Sequence, residues 1–294
     1  MVGMSNVREE ARRALPALML VCTALLFSTG GAAIKAVSFT GSQTVAFRSL
    51  VAAVVLYAAL PEARRKWTRG TLLVALAYAA TLATYVHATK LTTSANAVFL
   101  QATAPLHLLL IGPLLLKEKL RRMDAWMGLL VATGMVLFLV GSNVPQATAP
   151  NPTAGNLLGV LSGLTWALTL AGMRWIARSS GGNALPVVVA GNLLVFVLSL
   201  PGALPVAAPA WKDVALILYL GCFQIGMAYW LLTRAIGQVP VFEASLILLL
   251  EPVSNPLWSW LIHGERMDAW ALAGATCVLA GVAWQAWTSR AQPA

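Results

Sequence analysis

Glu243 and Glu251 are carboxylates inside an almost continuously apolar stretch of the chain, and Asn255 follows them. The spacings of eight and four residues place all three side chains on one face of a helix. A carboxylate in such surroundings can contact a cationic amine or carry a proton across a membrane. Alternatively, it makes an interhelical hydrogen bond that only holds the helices together. We expect a substrate or proton site at Glu251, which lies deepest, and treat Glu243 as a second proton site.

Pro252 lies in the same apolar stretch, directly after Glu251, and Pro105 lies in an earlier stretch of similar length and composition. Proline lacks a backbone N–H, so it removes a hydrogen bond of the helix and disturbs it. In a transporter such a break exposes carbonyl groups to a cavity or provides a bend. Proline is also tolerated in membrane helices without any mechanical role. We expect a hinge or helix break at both prolines.

Aromatic, hydroxyl and amide side chains recur every three or four residues in several apolar stretches, and therefore share helix faces. Such mixed faces suit a cavity that accepts a partly apolar solute, although each residue alone is also typical of helix packing. His107 continues one of these faces and is a candidate proton relay or a structural histidine. Besides Glu251 and Asn255, the predicted substrate contacts are Phe27, Tyr78, Thr81, Tyr85, Phe99, Thr103, Trp166, Met173 and Gln224.

Arg48 lies near the start of the second apolar stretch. A long cationic side chain near the end of a membrane helix can snorkel to the surface, and we expect this of Arg48. We expect Lys35, Lys90 and His263 to lie at the membrane boundary for the same reason. The three cysteines have no metal-ligand spacing, and no metal or other cofactor is expected.

The elements that must position these residues are membrane-spanning helices. The chain has 294 residues, of which 59% are hydrophobic and only 10% are charged, whereas a soluble domain carries about 25% charged residues. The net charge of +10 does not indicate nucleic acid, because the basic residues lie in short runs between apolar stretches. The sequence predicts an all-α integral membrane protein.

Ten stretches approach the roughly 20 apolar residues that a transmembrane helix needs. They do not alternate in polarity, which argues against a β-barrel. Fifteen of the 20 Lys and Arg residues fall at one set of ends. Because positive residues stay in the cytoplasm, both termini are predicted to be cytoplasmic, in a cell (inner) membrane. The predicted spans are 15–37, 42–60, 70–90, 93–116, 123–141, 155–177, 183–204, 211–235, 239–262 and 268–288.

The two halves of the chain, 1–147 and 148–294, resemble each other when one is shifted by 147 positions. This shift aligns Pro105 with Pro252 and Glu118 with Glu265. A rival shift of 144 aligns the two copies of MDAW, but it matches fewer of the rare residues. Five spans per half is an odd number, so the second half enters the membrane from the opposite side. The sequence predicts two inverted five-helix repeats around a central cavity.

The segments AVFLQATAPLHLLLIGPLLLKEKL and ASLILLLEPVSNPLWSWLIHGERM carry this pattern. They resemble the EamA-type repeat of the drug/metabolite transporter superfamily, with the nearest likeness to YddG-type amino-acid exporters. The resemblance implies ten helices, cytoplasmic termini, a cavity between the halves and export of amino acids and other small metabolites. A preference for aromatic amino acids is an expectation from the same resemblance.

The sequence therefore predicts a secondary transporter that exports small amphipathic metabolites, including aromatic or large apolar amino acids, by alternating access. Its expected partners are the small-molecule substrate and the lipid bilayer, without nucleic acid, and a monomer is expected. Nucleotide-binding, metalloprotease and hydrolase motifs are absent from the sequence, so no enzyme is predicted. An intramembrane enzyme, a channel-like pore and an exporter of drugs or other metabolites remain alternatives. Proton coupling and facilitated diffusion both stay open.

Overall fold

The structure is a computed structural model that describes residues 2–118, 122–141, 148–179, 183–206, 208–264 and scattered residues between 269 and 284. Within these ranges all regular structure is helical and no strand occurs. Two π-helical segments, Gly112–Leu116 and Leu220–Met227, and one 3₁₀ turn, Pro61–Arg64, supplement the α-helices. The α-helices are α1 (Val2–Ser28), α2 (Gly30–Ala36), α3 (Gly41–Ala59), α4 (Arg69–Leu91), α5 (Ser94–Gln101), α6 (Ala104–Ile111), α7 (Arg122–Gly141), α8 (Pro152–Ser179), α9 (Leu185–Ala203), α10 (Trp211–Tyr219), α11 (Ala228–Ala235), α12 (Val241–Leu248) and α13 (Leu250–His263).

Eight helical segments of the described chain are long and apolar enough to cross a membrane. Their bounds differ from the predicted spans by at most three residues. Helix α7 covers the fifth predicted span, whereas the tenth, 268–288, lies largely outside the described residues, as does Glu265. The eight segments are Ala14–Ala36, Gly41–Ala59, Arg69–Leu91, Ser94–Leu116, Pro152–Ser179, Leu185–Ala203, Trp211–Ala235 and Val241–His263.

Threonine side chains begin three of these helices. Thr40 precedes α3 and accepts a hydrogen bond from the backbone N–H of Gln43, whose side chain bonds back to Thr40. Thr68 and Thr93 cap α4 and α5 by accepting hydrogen bonds from the backbone N–H groups of Thr71 and Asn96. Each cap satisfies a backbone donor that the first turn leaves without a partner. The short connections between spans thus carry their own helix-start signals.

Two spans are interrupted at corresponding positions. Helix α5 ends at Gln101 and α6 begins at Ala104, while α12 ends at Leu248 and α13 begins at Leu250. Pro105 and Pro252 lie just beyond these breaks and cannot donate a backbone hydrogen bond to the preceding turn. When the bounds of α5 are shifted by 147 positions, they coincide with those of α12. The chain is thus broken beside both prolines, and bending there during a functional cycle stays a prediction.

The two halves of the sequence pack against each other over most of the bundle. Helix α4 lies against α8 and α9, α3 lies against α9, and α1 contacts α11, α12 and α13. Small residues allow close approach, since a Cβ added at Gly172 or Gly191 would lie within 2.7 Å of a side chain on α4. Close backbone approach at small residues is the usual basis of helix association in lipid. Residues of both halves therefore reach the centre.

Candidate functional site

The centre of the bundle contains a small void of about 20 Å³, which we call the central void. A void of this size has room for a water molecule or two. Polar, charged and aromatic side chains from both halves of the chain surround it. They are Phe27, Arg48, Thr81, Leu82, Tyr85, Gln101, Trp166, Gln224, Ile225, Tyr229 and Glu251.

A second void of about 10 Å³ lies beside the first. Gln101, Trp166 and Glu251 line both voids. Pro105 and Pro252 line only the second. The two helix breaks therefore lie next to the same small internal space as the carboxylate of Glu251.

Glu251 lies in the first turn of α13 and is only 7% exposed. No hydrogen bond or ion pair joins its carboxylate to another group in the described part of the chain. Buried charges are normally paired or hydrogen-bonded, because transfer out of water is costly. Glu251 is therefore a carboxylate directed into the voids with room for an external partner.

Arg48 lies on α3 and is only 1% exposed, so the prediction that it snorkels to the surface is wrong. Its Nη1 donates a hydrogen bond to Oε1 of Gln224 at 3.3 Å, while its buried Nε has no partner. The π-helical segment that carries Gln224 approaches α3 closely at Gly221, where a Cβ would lie 2.8 Å from the carbonyl oxygen of Arg48. The face of α3 that holds Arg48 is thus turned towards the centre of the bundle, away from lipid.

Four aromatic rings form a cluster beside the central void. The ring of Tyr229 lies 5.0 Å from that of Phe27, 4.8 Å from that of Tyr78 and 6.1 Å from that of Trp166, between centroids. Phe27 and Trp166 also meet edge to face at 6.0 Å. These separations and tilts are the ones that aromatic pairs favour. The cluster offers an apolar, polarisable wall to a ligand in the void.

Six of the predicted substrate contacts line the central void, namely Phe27, Thr81, Tyr85, Trp166, Gln224 and Glu251. The other five lie elsewhere in this conformation. Tyr78 touches the ring of Tyr229, and its hydroxyl accepts a hydrogen bond from Asn192 at 2.9 Å. Phe99 and Met173 are buried in the bundle, and Thr103 donates to the carbonyl oxygen of Leu100. Asn255 belongs to the network described next.

One end of the bundle is held by a network that we call the Asn255 cluster: Ser28, Ser94, Asn255 and Trp258. Ser94 donates to Oδ1 of Asn255, and Nδ2 of Asn255 donates to the carbonyl oxygen of Ser28, both at 2.8 Å. Trp258 donates to the hydroxyl of Ser28 at 3.0 Å. The cluster ties α1 and α5 of the first half to α13 of the second half.

The opposite end is held by the Glu118 cluster, which comprises Glu118, Arg174, Arg178 and the backbone N–H of Val241. Glu118 forms an ion pair with Arg174, lies 3.6 Å from Arg178 and accepts a hydrogen bond from Val241 at 3.1 Å. Arg174 also donates to the carbonyl oxygen of Ile236 at 2.8 Å. This cluster likewise joins the first half of the sequence to the second.

A cavity of about 340 Å³ lies at the Glu118 cluster, and Glu243 is part of its wall. Lys117, Asp124 and Arg178 line the same cavity, so its surface is polar. Of the predicted proton sites, Glu251 faces the central void and Glu243 faces this outer cavity. The third, His107, is half-buried on α6, with Nδ1 3.1 Å from the carbonyl oxygen of Thr103.

Sequence reasoning did not single out Gln101 and Tyr229, and it misplaced Arg48. Gln224 and Tyr229 are five residues apart, a spacing that does not share a face of a regular α-helix. They face the same void because a π-helical segment precedes Tyr229 and rotates the following turn. Gln101 donates to the hydroxyl of Ser162 at 2.8 Å and lies seven residues after Ser94, on the same face of α5. The π-helical segment therefore hid the position of Tyr229 from an analysis based on regular helix spacing.

Comparison with known proteins gives the same family twice along the chain. The model of the EamA-like transporter family matches residues 14–140 and again residues 153–286. The chain belongs to the EamA-like transporter family. With eight apolar segments long enough to cross a bilayer among its described residues, it is an integral, multi-pass membrane protein. Membership of a transporter family also argues against the intramembrane enzyme considered above.

A relative and a solved structure resemble the chain at lower similarity. The uncharacterized transporter YetK of Bacillus subtilis (strain 168) is 24% identical over 204 residues, which is 67% of this chain and 61% of YetK. The chain thus matches about three fifths of the length of that relative. A crystal structure of 18% sequence identity has a TM-score of 0.74 and covers 93% of this chain and 99% of its own. At that identity the likeness concerns the fold alone.

Proposed function

We propose that the protein is a secondary transporter that exports small amphipathic metabolites, including amino acids with aromatic or large apolar side chains. The observation that carries the proposal is a central void with an unpartnered carboxylate, Glu251, beside a cluster of aromatic rings. An intramembrane ionisable group usually marks a substrate or proton pathway. An ammonium group would lie at Glu251 and an apolar side chain against the rings. The resemblance to YddG-type exporters supports the same substrate class.

The proposal includes ten helices in two inverted repeats, 1–147 and 148–294. The double match of the family model and the coincidence of α5 with α12 under a shift of 147 positions support it. The tenth helix would cover residues 268–288. With ten spans and with Lys and Arg concentrated at one set of ends, both termini are cytoplasmic, and the Glu118 cluster lies at the cytoplasmic end.

Alternating access would use the two clusters as opposing closures. Each joins the first half of the chain to the second, and the central void between them is too small for an amino acid. Release of the Glu118 cluster would open the void to the cytoplasm, and release of the Asn255 cluster would open it to the outside. The breaks beside Pro105 and Pro252 would supply the bends.

The test is transport by the purified protein in proteoliposomes, with a panel of radiolabelled solutes and with product analysis. We expect phenylalanine, tryptophan and leucine to cross and to be recovered chemically unchanged. The exposed-site variant Glu62→Gln should transport as the wild type does, whereas Glu251→Gln should lose most of its flux. If drugs or other metabolites cross and no amino acid does, the substrate class is wrong; a chemically altered product would contradict the transporter assignment itself.

Coupling is tested in the same vesicles by imposing a pH gradient. Glu251, Glu243 and His107 are the candidate proton sites. Proton antiport requires that the gradient drive substrate flux and that substrate flux dissipate the gradient. If neither occurs, proton antiport is wrong.

A further inference from the structure

The central void holds two groups of opposite charge that are not joined to each other. Arg48 and Glu251 both line it, and both are more than nine-tenths buried. In the described part of the chain the ion pairs within 4.0 Å include neither residue. A buried guanidinium and a buried carboxylate therefore face one space without neutralising each other.

The guanidinium of Arg48 has few hydrogen-bond partners within the described protein. It has five N–H groups, yet Nη1 has one neutral partner, Gln224, and Nε has none. The hydroxyl of Tyr85, which lines the same void, is also buried without a partner. Leaving buried donors unsatisfied is unfavourable, and each such group in a folded protein calls for an explanation. A ligand that accepts hydrogen bonds at this place supplies one.

We infer that Arg48 binds the carboxylate of the substrate while Glu251 binds its ammonium group, so that the site selects zwitterionic α-amino acids. This inference rests on the proposed function and narrows its substrate class. A guanidinium is planar and presents paired donors that match both oxygens of a carboxylate. Tyr85 adds a donor at the same wall, and Phe27, Trp166 and Tyr229 face the side chain of the substrate.

Zwitterion binding also explains how two charges can remain inside a bundle of apolar helices. A ligand with one positive and one negative end adds no net charge to the site, while it pairs both buried groups. The void of about 20 Å³ must enlarge to admit it, which the two cross-half clusters would permit by opening at one end. A solute that lacks either charge would leave Arg48 or Glu251 unpaired in the closed site.

The test uses three solutes with the same phenyl ring: phenylalanine, phenethylamine, which lacks the carboxylate, and 3-phenylpropionate, which lacks the amine. Each competes for uptake of radiolabelled phenylalanine into proteoliposomes that contain the full-length protein. For the wild type we expect both analogues to compete at least about tenfold more weakly than phenylalanine, since each loses a charge-assisted hydrogen bond. Equal competition by phenethylamine would overturn the role of Arg48 without any variant.

Arg48→Gln should weaken competition by phenylalanine at least about tenfold and leave competition by phenethylamine unchanged. The preference for phenylalanine over phenethylamine then disappears. Glu251→Gln, measured on the uptake it retains, should instead remove the preference for phenylalanine over 3-phenylpropionate. The exposed variants Arg65→Gln and Glu62→Gln serve as matched controls and should keep both preferences. If Arg48 only holds Gln224 and the π-helical segment in place, competition by all three solutes weakens equally, and the inference fails.

The inference and the proposed function fail in different ways. Phenylalanine transport with no discrimination among the three solutes would refute the inference and leave the transporter intact. Transport of other solutes with no competition by phenylalanine would overturn both. If Arg48→Gln does not fold, as judged by size-exclusion chromatography, Arg48→Lys replaces it: the point charge should retain transport but lose part of the preference, because it cannot bind both oxygens at once.

Discussion

Trp166 lies where the rings and the charged groups of the site meet. Its ring contacts those of Phe27 and Tyr229, and it lines both voids together with Gln101 and Glu251. Phe27 and Tyr229 belong to the same aromatic cluster, but of the two voids they line only the central one. Trp166 is therefore the ring whose loss should report most directly on recognition of an aromatic substrate.

Trp166→Leu keeps an apolar side chain and removes the ring. An aromatic contact contributes about 0.5–1.5 kcal/mol beyond the buried area, so phenylalanine uptake should fall about two- to thirteenfold at low concentration while leucine uptake changes little. Competition assays with the two amino acids in proteoliposomes measure the ratio. Trp211→Leu, at an exposed tryptophan, is the matched control. Equal loss of both uptakes, with less folded protein, would indicate a packing role.

The residue types in the sequence predicted part of this candidate site. The structure explains why the positions of the other residues were not predicted. Glu251, Trp166 and Gln224 were selected because a carboxylate, an indole and an amide are unusual inside an apolar helix. All three line the central void, and their contact with a substrate stays a prediction. Arg48 was misplaced because the sequence does not say which face of α3 turns inward. Tyr229 was missed because a π-helical segment changes the spacing that brings side chains to one face.

At the scale of helices, the bounds were well predicted because bilayer thickness fixes the length of a span. The bounds of the eight candidate spans differ from the structure by at most three residues. The sequence also placed the prolines, but only the structure shows that α5 and α12 each end four residues before them. What sequence could not predict is the pair of cross-half networks, the Glu118 and Asn255 clusters, because they join residues far apart in the chain.

The two clusters should bias the protein in opposite directions. Glu118→Gln leaves Arg174 and Arg178 without their carboxylate and should favour the state open at that end. Asn255→Ala removes the hydrogen bonds to Ser94 and Ser28 and should favour the state open at the other end. Each change removes about 1–3 kcal/mol of closing interaction, which shifts the balance between the states about five- to 150-fold.

The balance between the two open states is measured by the rate of maleimide labelling of Phe242→Cys, in a protein from which Cys22, Cys222 and Cys277 have been removed. Phe242 lines the cavity at the Glu118 cluster and is buried in this conformation. The labelling rate should rise with Glu118→Gln and fall with Asn255→Ala, relative to the parent protein. The account of opposing closures is contradicted if both changes raise the rate, since that pattern indicates general loosening of the bundle.

At the scale of the whole molecule, two halves of one family meet around an internal site that both contribute to. The first half supplies Phe27, Arg48 and Tyr85, and the second supplies Trp166, Tyr229 and Glu251. A site at the boundary between like halves can be exposed to either side of a membrane when the halves rock against each other. A carrier of this kind binds its solute in a closed state during each cycle, which a continuous pore never does.

Counterflow tests that claim most directly. Proteoliposomes are loaded with a high concentration of unlabelled phenylalanine and diluted into a trace of labelled phenylalanine. The account predicts that the label accumulates transiently inside, above its outside concentration, with Glu62→Gln behaving as the wild type and Glu251→Gln abolishing the overshoot. Simple equilibration of the label with no overshoot, while the wild-type protein still passes phenylalanine, would show a pore and contradict the account.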